Sequence, residues 1–504
     1  MTNNSDLVAA SPHWSVPVEK SSGFSPFIAF CFIINYIVGT GFLTIPWAFV
    51  QGGLILSTLL LVLAGIASDI AKTYLLETMS RAEEMLDSKL RWVKREGERE
   101  IEQVLIPPSN YGAIIDSQEL QTRQLPELKR RRATPYLVKN RKFEINTLCR
   151  IFLGKPGLYL FTLFISLYTF GVLWAYTSVF SSAMAAIAPI FGNGEEGFNY
   201  VCYALIFGLI VVPLSCLELE EQVVIQVSLT GCRFMMLFLM LGTCTQCALD
   251  TSIDLSESNN EAPLFQPAGF HKVLPIVALA NGFHSAMPGL SHPVADKKKL
   301  GNIFQSTIFF TSLLYALLGL VLGGVFGEYV EQSSNLNWQG YRGGTGSINS
   351  NGDVEGVAWW AKAIALFIVS FPAFDVVSAY PLNAITLGNN MVGIYYGNKV
   401  HEMENNRWLS TLFRLIASVP PIFFGIFFRE LGVITDYAGT SGIVLTFSIP
   451  AILYLKSKDV ATTKNFSPKT YYTSYGSSNS LARFLFWFGV TMMVFVVVCL
   501  IYDT

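Results

Sequence analysis

From about Phe24 to Val50 the chain is apolar and long enough to cross a bilayer. Its centre, however, reads Asn35-Tyr36-Ile37-Val38-Gly39-Thr40-Gly41-Phe42-Leu43-Thr44-Ile45-Pro46. A plain membrane span has no use for two glycines, a threonine and a proline at that depth. Each glycine weakens a helix, and Pro46 has no N–H to return to Phe42. In lipid, an unpaired backbone group is expensive, so such an interruption persists only against protein or a water-filled cavity. The freed amides around Thr40 and Gly41 suit an anionic group. The freed carbonyls around Ile37 and Val38 suit a cation. The stretch reads as half of a substrate site.

Composition places the rest of the chain in the membrane as well. Of 504 residues, 52% are hydrophobic and 14% charged, against roughly 25% charged in a soluble domain. A net charge of −2 gives no reason to expect nucleic acid; the expected surroundings are a lipid bilayer. Residues 1–22 are polar and lack the basic-plus-apolar pattern of a signal peptide. The eight cysteines lie mostly in apolar runs. Cys244-x-x-Cys247 has the spacing of a redox pair or half a metal site, but without a second pair it reads as buried thiol. No cofactor or metal site is expected.

Eleven spans are expected, at about 24–50, 54–78, 156–189, 200–217, 222–249, 271–295, 303–327, 358–387, 408–428, 431–455 and 482–502. The chain then divides into a tail (1–23), spans one and two (24–80), a long loop (81–155) and spans three to eleven (156–502). That loop holds sixteen Lys and Arg, including Lys129-Arg130-Arg131-Arg132, whereas Gly192 to Asn199 and Asp250 to Phe270 hold none. Basic loops stay inside, so the N-terminus is expected in the cytosol and the C-terminus outside or in a lumen. Within the loop, Arg81 to Gln103 has helical charge spacing and extends span two. Pro107 to Pro135 reads as unstructured. Phe143 to Gly154 suits a short interfacial helix. Tyr111-Gly-Ala-Ile114 has the form of a sorting signal, a pattern common by chance.

Span six is the second interrupted one: Val273-Leu-Pro275-Ile-Val-Ala-Leu-Ala-Asn281-Gly282-Phe283-His284-Ser285-Ala286-Met287-Pro288-Gly289. Interrupted segments at matching positions of two halves are the best sequence pointer to a transporter site. The competing reading is a proline kink that only helps packing. His284 is open to two readings, a proton carrier or a cap on freed backbone.

These residues resemble the amino acid/auxin permease family of the amino acid–polyamine–cation superfamily. Asn35 to Pro46, Val273 to Lys299, Phe371 to Asn389 and Phe170-Gly171 through Ala175-Tyr176 carry the likeness; the long loop does not. The resemblance implies an all-α membrane fold: a five-plus-five inverted repeat with broken helices one and six, plus an eleventh helix. It implies secondary, alternating-access transport of amino acids driven by protons or sodium. It places the substrate carboxylate on the amides of Thr40, Gly41 and Phe42, beside Gly39. The α-amino group would meet carbonyls near Ile37 and those of Asn281, Gly282 and Phe283, beside His284. Tyr176 would be a wall or gate.

Two ionisable residues, Asp375 in span eight and Arg233 in span five, lie deep, where charge costs at least about 2.5–3.5 kcal/mol. In transporters of this likeness, spans one, five and eight surround a sodium site, which a basic residue fills in some relatives. Arg233 is expected to fill it here, near Asp375, Ser378 and the carbonyls of Asn35 and Val38. That favours proton coupling or exchange over sodium symport. The alternative is an Arg233 that snorkels to the interface. Neither broken segment offers a charged partner for a side chain, which points to small neutral amino acids. No nucleophile elbow, H-E-x-x-H or metal-spaced carboxylate pair suggests an enzyme. The other reading is a transporter-like amino-acid sensor or scaffold acting through 81–155. The expected home is the plasma membrane or an endosomal, lysosomal or vacuolar membrane.

Overall fold

Glycines and prolines divide the apolar runs of this chain into helices. The computed structural model describes residues 23–105, 136–139, 141, 143–192, 194–217, 223–249, 262–345, 347–348, 354–396 and 407–503, with some side chains, Asn35 and Thr40 among them, outside that description. The Tyr111-Gly-Ala-Ile114 pattern, the basic run at Lys129 and the Pro107–Pro135 stretch lie outside the described residues.

Helix α1 (Pro26–Ile37) starts where Ser25 caps the Ile28 amide at 3.4 Å, with proline in the first turn. It stops at Val38-Gly39. A 3-10 turn (Thr40–Thr44) and α2 (Ile45–Gly52) follow, closed by Gly53 at φ 79°. There the glycine is required, because only it enters that region without strain. Helix α3 (Leu54–Leu105) runs without interruption past the expected end of span two. Then come α4 (Ile145–Phe152), α5 (Gly154–Ile187), α6 (Glu196–Cys216), α7 (Val223–Leu249), α8 (Phe270–Ala280), α9 (Met287–Ser291) and α10 (Leu300–Phe326). After α10 come α11 (Trp359–Tyr396), α12 (Arg407–Phe427), α13 (Leu431–Ile443), α14 (Ile449–Thr463) and α15 (Asn479–Asp503). A π-helical turn, Val444–Ser448, joins α13 to α14.

Among the described residues, nine helices are long and apolar enough to cross a membrane. They take in nine of the expected spans; the first and sixth are each split into short pieces. Strand pairing in named strands is limited, among the described residues, to Ser347–Ile348 against Val354–Glu355. The fold is therefore all-α and membrane-embedded. Large apolar side chains such as Leu209, Phe309 and Phe484 are exposed on its rim, as lipid contact demands.

Three packing features position the site. Segment Leu431–Thr463 is interior, with 89% of its most apolar window buried; α13 packs on both α5 and α8. The end of the bundle carrying the basic loops is tied together by polar contacts. Arg81 of α3 pairs with Glu77, gives hydrogen bonds to the Ser457 hydroxyl at 3.0 Å and the Pro468 carbonyl at 2.8 Å, and lies over the Tyr454 ring. Arg141 binds Glu83 at 2.7 Å. At the opposite end, a 3-10 turn (Ser334–Trp338) reaches the Thr40–Thr44 turn. It is held by Trp338 Nε1 donating to Thr243 Oγ1 at 3.0 Å. Helix α4 falls where a short helix before span three was expected; its Ile145, Leu148, Cys149 and Phe152 are buried, and it packs on α3, α5 and α14.

Candidate functional site

In the first break, the Val38 amide still reaches the Ile34 carbonyl at 2.8 Å, but the Gly39 amide folds back onto Ile37 at 2.8 Å. The amides of Thr40 and Gly41 open the 3-10 turn, where a helix has no carbonyl to offer them. The expected third donor, Phe42, is different. An i→i+3 turn beginning after Gly39 takes its amide up internally, and its side chain is buried. The Thr44 hydroxyl donates to the Gly41 carbonyl at 3.0 Å and pins the turn.

The second break lies between α8 and α9 and satisfies more of itself. The Asn281 amide and side-chain Nδ2 both donate to the Val277 carbonyl, at 3.1 and 2.9 Å. The Gly282 amide bonds Leu279, the Phe283 amide bonds the Asn281 carbonyl, and the Ala286 amide bonds the Phe283 carbonyl, each at 3.0 Å. Of the three carbonyls expected to face an amino group, two are thus occupied locally. Only that of Gly282 accepts none of the bonds found among the described residues.

The breaks face each other. A Cβ built on Gly41 would stand 3.4 Å from Ala280 Cα, so the two segments lie within van der Waals reach of each other. The Tyr315 hydroxyl of α10 sits 3.1 Å from the Ile37 carbonyl and 3.4 Å from the Ala280 carbonyl, bridging the two. Three more tyrosines close in. Tyr168 of α5 sets its hydroxyl 3.0 Å from where a Gly282 Cβ would be. Tyr36 of α1 is 47% exposed, yet its hydroxyl neighbours Ser285, Tyr168 and Tyr176. Its hydroxyl end therefore lies inside the bundle, although part of the ring is exposed. Tyr176 is buried beside Asp375 and Arg233, within hydrogen-bonding reach of Asn383. The sequence analysis singled out only Tyr176 of these four. A tyrosine within an apolar run is too ordinary to stand out before its neighbours are known.

His284 does not line this gap. Its ring is 1% exposed and turns to α3, where Nε2 donates to the Ser68 carbonyl at 3.0 Å. Phe283 likewise stacks away from the gap, on Phe304 at 5.7 Å.

Arg233 and Asp375 meet at 2.6 Å, their side chains 9% and 8% exposed. Helix α7 reaches them by packing on both α1 and α11; Arg233 does not snorkel outward. Val38 is buried in the main hydrophobic core. The Ser378 hydroxyl is occupied by the Asp375 carbonyl at 2.9 Å on its own helix. One deep charge escaped the sequence. Asp436 of α13 is 2% exposed, five residues from the start of its helix. Asp69 and Lys72 pair on α3 at 2.7 Å.

A profile described as transmembrane amino acid transporter protein matches residues 22–89 and 136–502. The chain belongs to that family. The match passes over 90–135, the middle of the long loop. Among curated relatives of this family member, "Transmembrane protein 104" of Mus musculus is 23% identical over 507 residues, 94% of this chain and 95% of the relative. Its Homo sapiens counterpart is 24% identical, covering 86% of this chain and 88% of its own length. A Dictyostelium discoideum homolog is 22% identical, covering 88% and 90%. Among solved structures, a manganese transporter of Eremococcus coleocola aligns over 95% of both chains with 10% identity and a TM-score of 0.42. The family and the apolar helices make this a multi-pass membrane transporter.

Proposed function

We propose that the chain is a secondary active transporter of small neutral amino acids, working by alternating access around its two breaks. The observation that carries this reading is the meeting of those breaks under one hydroxyl, Tyr315, with two turn-opening amides on one side and the Gly282 carbonyl on the other. A zwitterion presents one carboxylate and one ammonium, and the gap offers donors and acceptors to match. The carboxylate would sit on Thr40 and Gly41 beside Gly39, and the ammonium on Gly282. Tyr36, Tyr168 and Tyr176 would bound the side chain. Arg233 and Asp375 cancel each other's charge, so a charged side chain would find no partner there.

The same pair supports proton coupling or exchange over sodium coupling. A sodium ion seeks carboxylate and carbonyl oxygens, and here a guanidinium already holds the carboxylate of Asp375. The basic end would face the cytosol, with the N-terminus inside and the C-terminus outside or lumenal, and 81–155 would form a cytosolic loop between spans two and three. The full scaffold would be eleven spans in a five-plus-five inverted repeat with one added helix, in the plasma membrane or an endosomal, lysosomal or vacuolar membrane.

Uptake of a labelled amino-acid panel into proteoliposomes, under imposed proton or sodium gradients, tests the proposal. Accumulation of small neutral amino acids without sodium is expected; strict sodium dependence would overturn the assignment of Arg233. The family profile's omission of 90–135 favours one second reading, a transporter-like sensor or scaffold signalling through that loop. Saturable binding without uptake would select it.

A further inference from the structure

We propose that His284 and Ser68 form the seat of a transported proton, distinct from the substrate gap; this rests on the proton-coupled form of the function proposed above. His284 is buried in the second break, and its Nε2–H is committed to the Ser68 carbonyl at 3.0 Å. That bond fixes the tautomer and leaves Nδ1 as a bare acceptor. Nδ1 has no hydrogen-bond partner, and neither has the buried hydroxyl of Ser68. Two unpartnered polar atoms on one touching pair of residues are a poor way to fill space, since each unmet buried group costs about 1–3 kcal/mol. A phenylalanine or leucine would pack without that penalty. Room for a proton, with or without a water, accounts for both.

The surroundings give the site a direction. Helix α3 presents Lys72, the charged group nearest the ring, which is paired with Asp69 at 2.7 Å and also bonds the Gly301 carbonyl at 3.3 Å. Asp69 is 30% exposed and so reaches the surface of the bundle. Helix α10 presents only Phe304 to the neighbouring Phe283 ring. Helix α1 contributes Tyr36, by way of Ser285, and α5 contributes Tyr168 at Gly282. Beyond α9 lie His292 and Lys297, the latter held by the Ser291 and His292 carbonyls. No carboxylate touches the ring among the described residues. This conformation therefore presents an Nδ1 without its proton. The step is a simple one: the Nδ1 lone pair takes H⁺ from a hydronium when the second break moves away from Lys72. It returns H⁺ to water past Asp69 when the break comes back. The movement of the broken segment is then tied to the charge on its own histidine.

His284→Gln keeps a donor for the Ser68 carbonyl but cannot titrate. In proteoliposomes it is expected to lose at least ten-fold of pH-driven accumulation while retaining more than half of wild-type counterflow. Undiminished pH-driven accumulation would overturn the proposal. A second measurement holds even if the variant misfolds or no amino acid is carried. The wild-type protein in nanodiscs, labelled with ¹⁵N-histidine, contains five histidines, and the His284 resonance is the one absent from His284→Gln. Protonation of Nδ1 between pH 8 and 5 supports the site; a ring unprotonated at Nδ1 throughout refutes it. Failure of amino-acid uptake with a titrating His284 would instead count against the transport reading alone.

Discussion

The two breaks solve the same problem by different means. The second break feeds its own loose groups: Asn281 doubles up on Val277, and short turns consume the Asn281 and Phe283 carbonyls. The first break carries two glycines and borrows from its neighbours. Tyr315 serves the Ile37 carbonyl as well as that of Ala280, and the Arg233–Asp375 pair stands on the helices beside the first break. A self-sufficient break keeps its internal bonds and shifts as a unit, as the His284 proposal requires, whereas a dependent one rearranges when its neighbours move. The first break would then be the one whose own hydrogen bonds change during a transport cycle.

This contrast can be broken most forcefully at the ion pair. Asp375→Ala or Arg233→Ala leaves one buried charge uncompensated and is expected to cost about 3–5 kcal/mol, read as a large fall in thermal stability in detergent. The double change Arg233→Met with Asp375→Leu should recover most of that stability while abolishing transport. Single variants as stable as wild type would remove the pair from the support of the first break. Next in size is Tyr315→Phe, which withdraws the shared donor from two carbonyls and is expected to cost about 1–3 kcal/mol with a weaker apparent substrate affinity. Asn281→Ala should cost about 1 kcal/mol, because the Asn281 amide still serves Val277. If its thermal shift exceeded that of Tyr315→Phe, the second break would be the dependent one. The smallest effect is expected for Gly39→Ala. At φ −75° with nothing within 4 Å of the added carbon, the position tolerates a methyl group, and uptake should stay near wild type.

Both interruptions were legible in the sequence because glycine and proline act locally, through backbone geometry that no neighbour can cancel. The Arg233–Asp375 pairing was legible because charge in an apolar run must be answered by charge. The extension of α3 beyond Met79 followed from charge spacing alone. Directions of side chains were not legible. His284 sits at the right place in the chain for a substrate ligand, but which way its ring turns depends on where α3 passes. Tyr36, Tyr168 and Tyr315 gain meaning only when three helices bring their hydroxyls together. Asp436 stands only five residues from the start of α13, and it is the packing of α13 against α5 and α8 that covers it.

A hydroxyl has a single hydrogen, but Tyr315 stands before two carbonyls. The Ile37 oxygen is also reached by the Gly39 amide, so that carbonyl keeps a donor even when Tyr315 turns to Ala280. The hydroxyl is thereby free to change allegiance between the two halves, a toggle that never costs the Ile37 oxygen its last hydrogen bond.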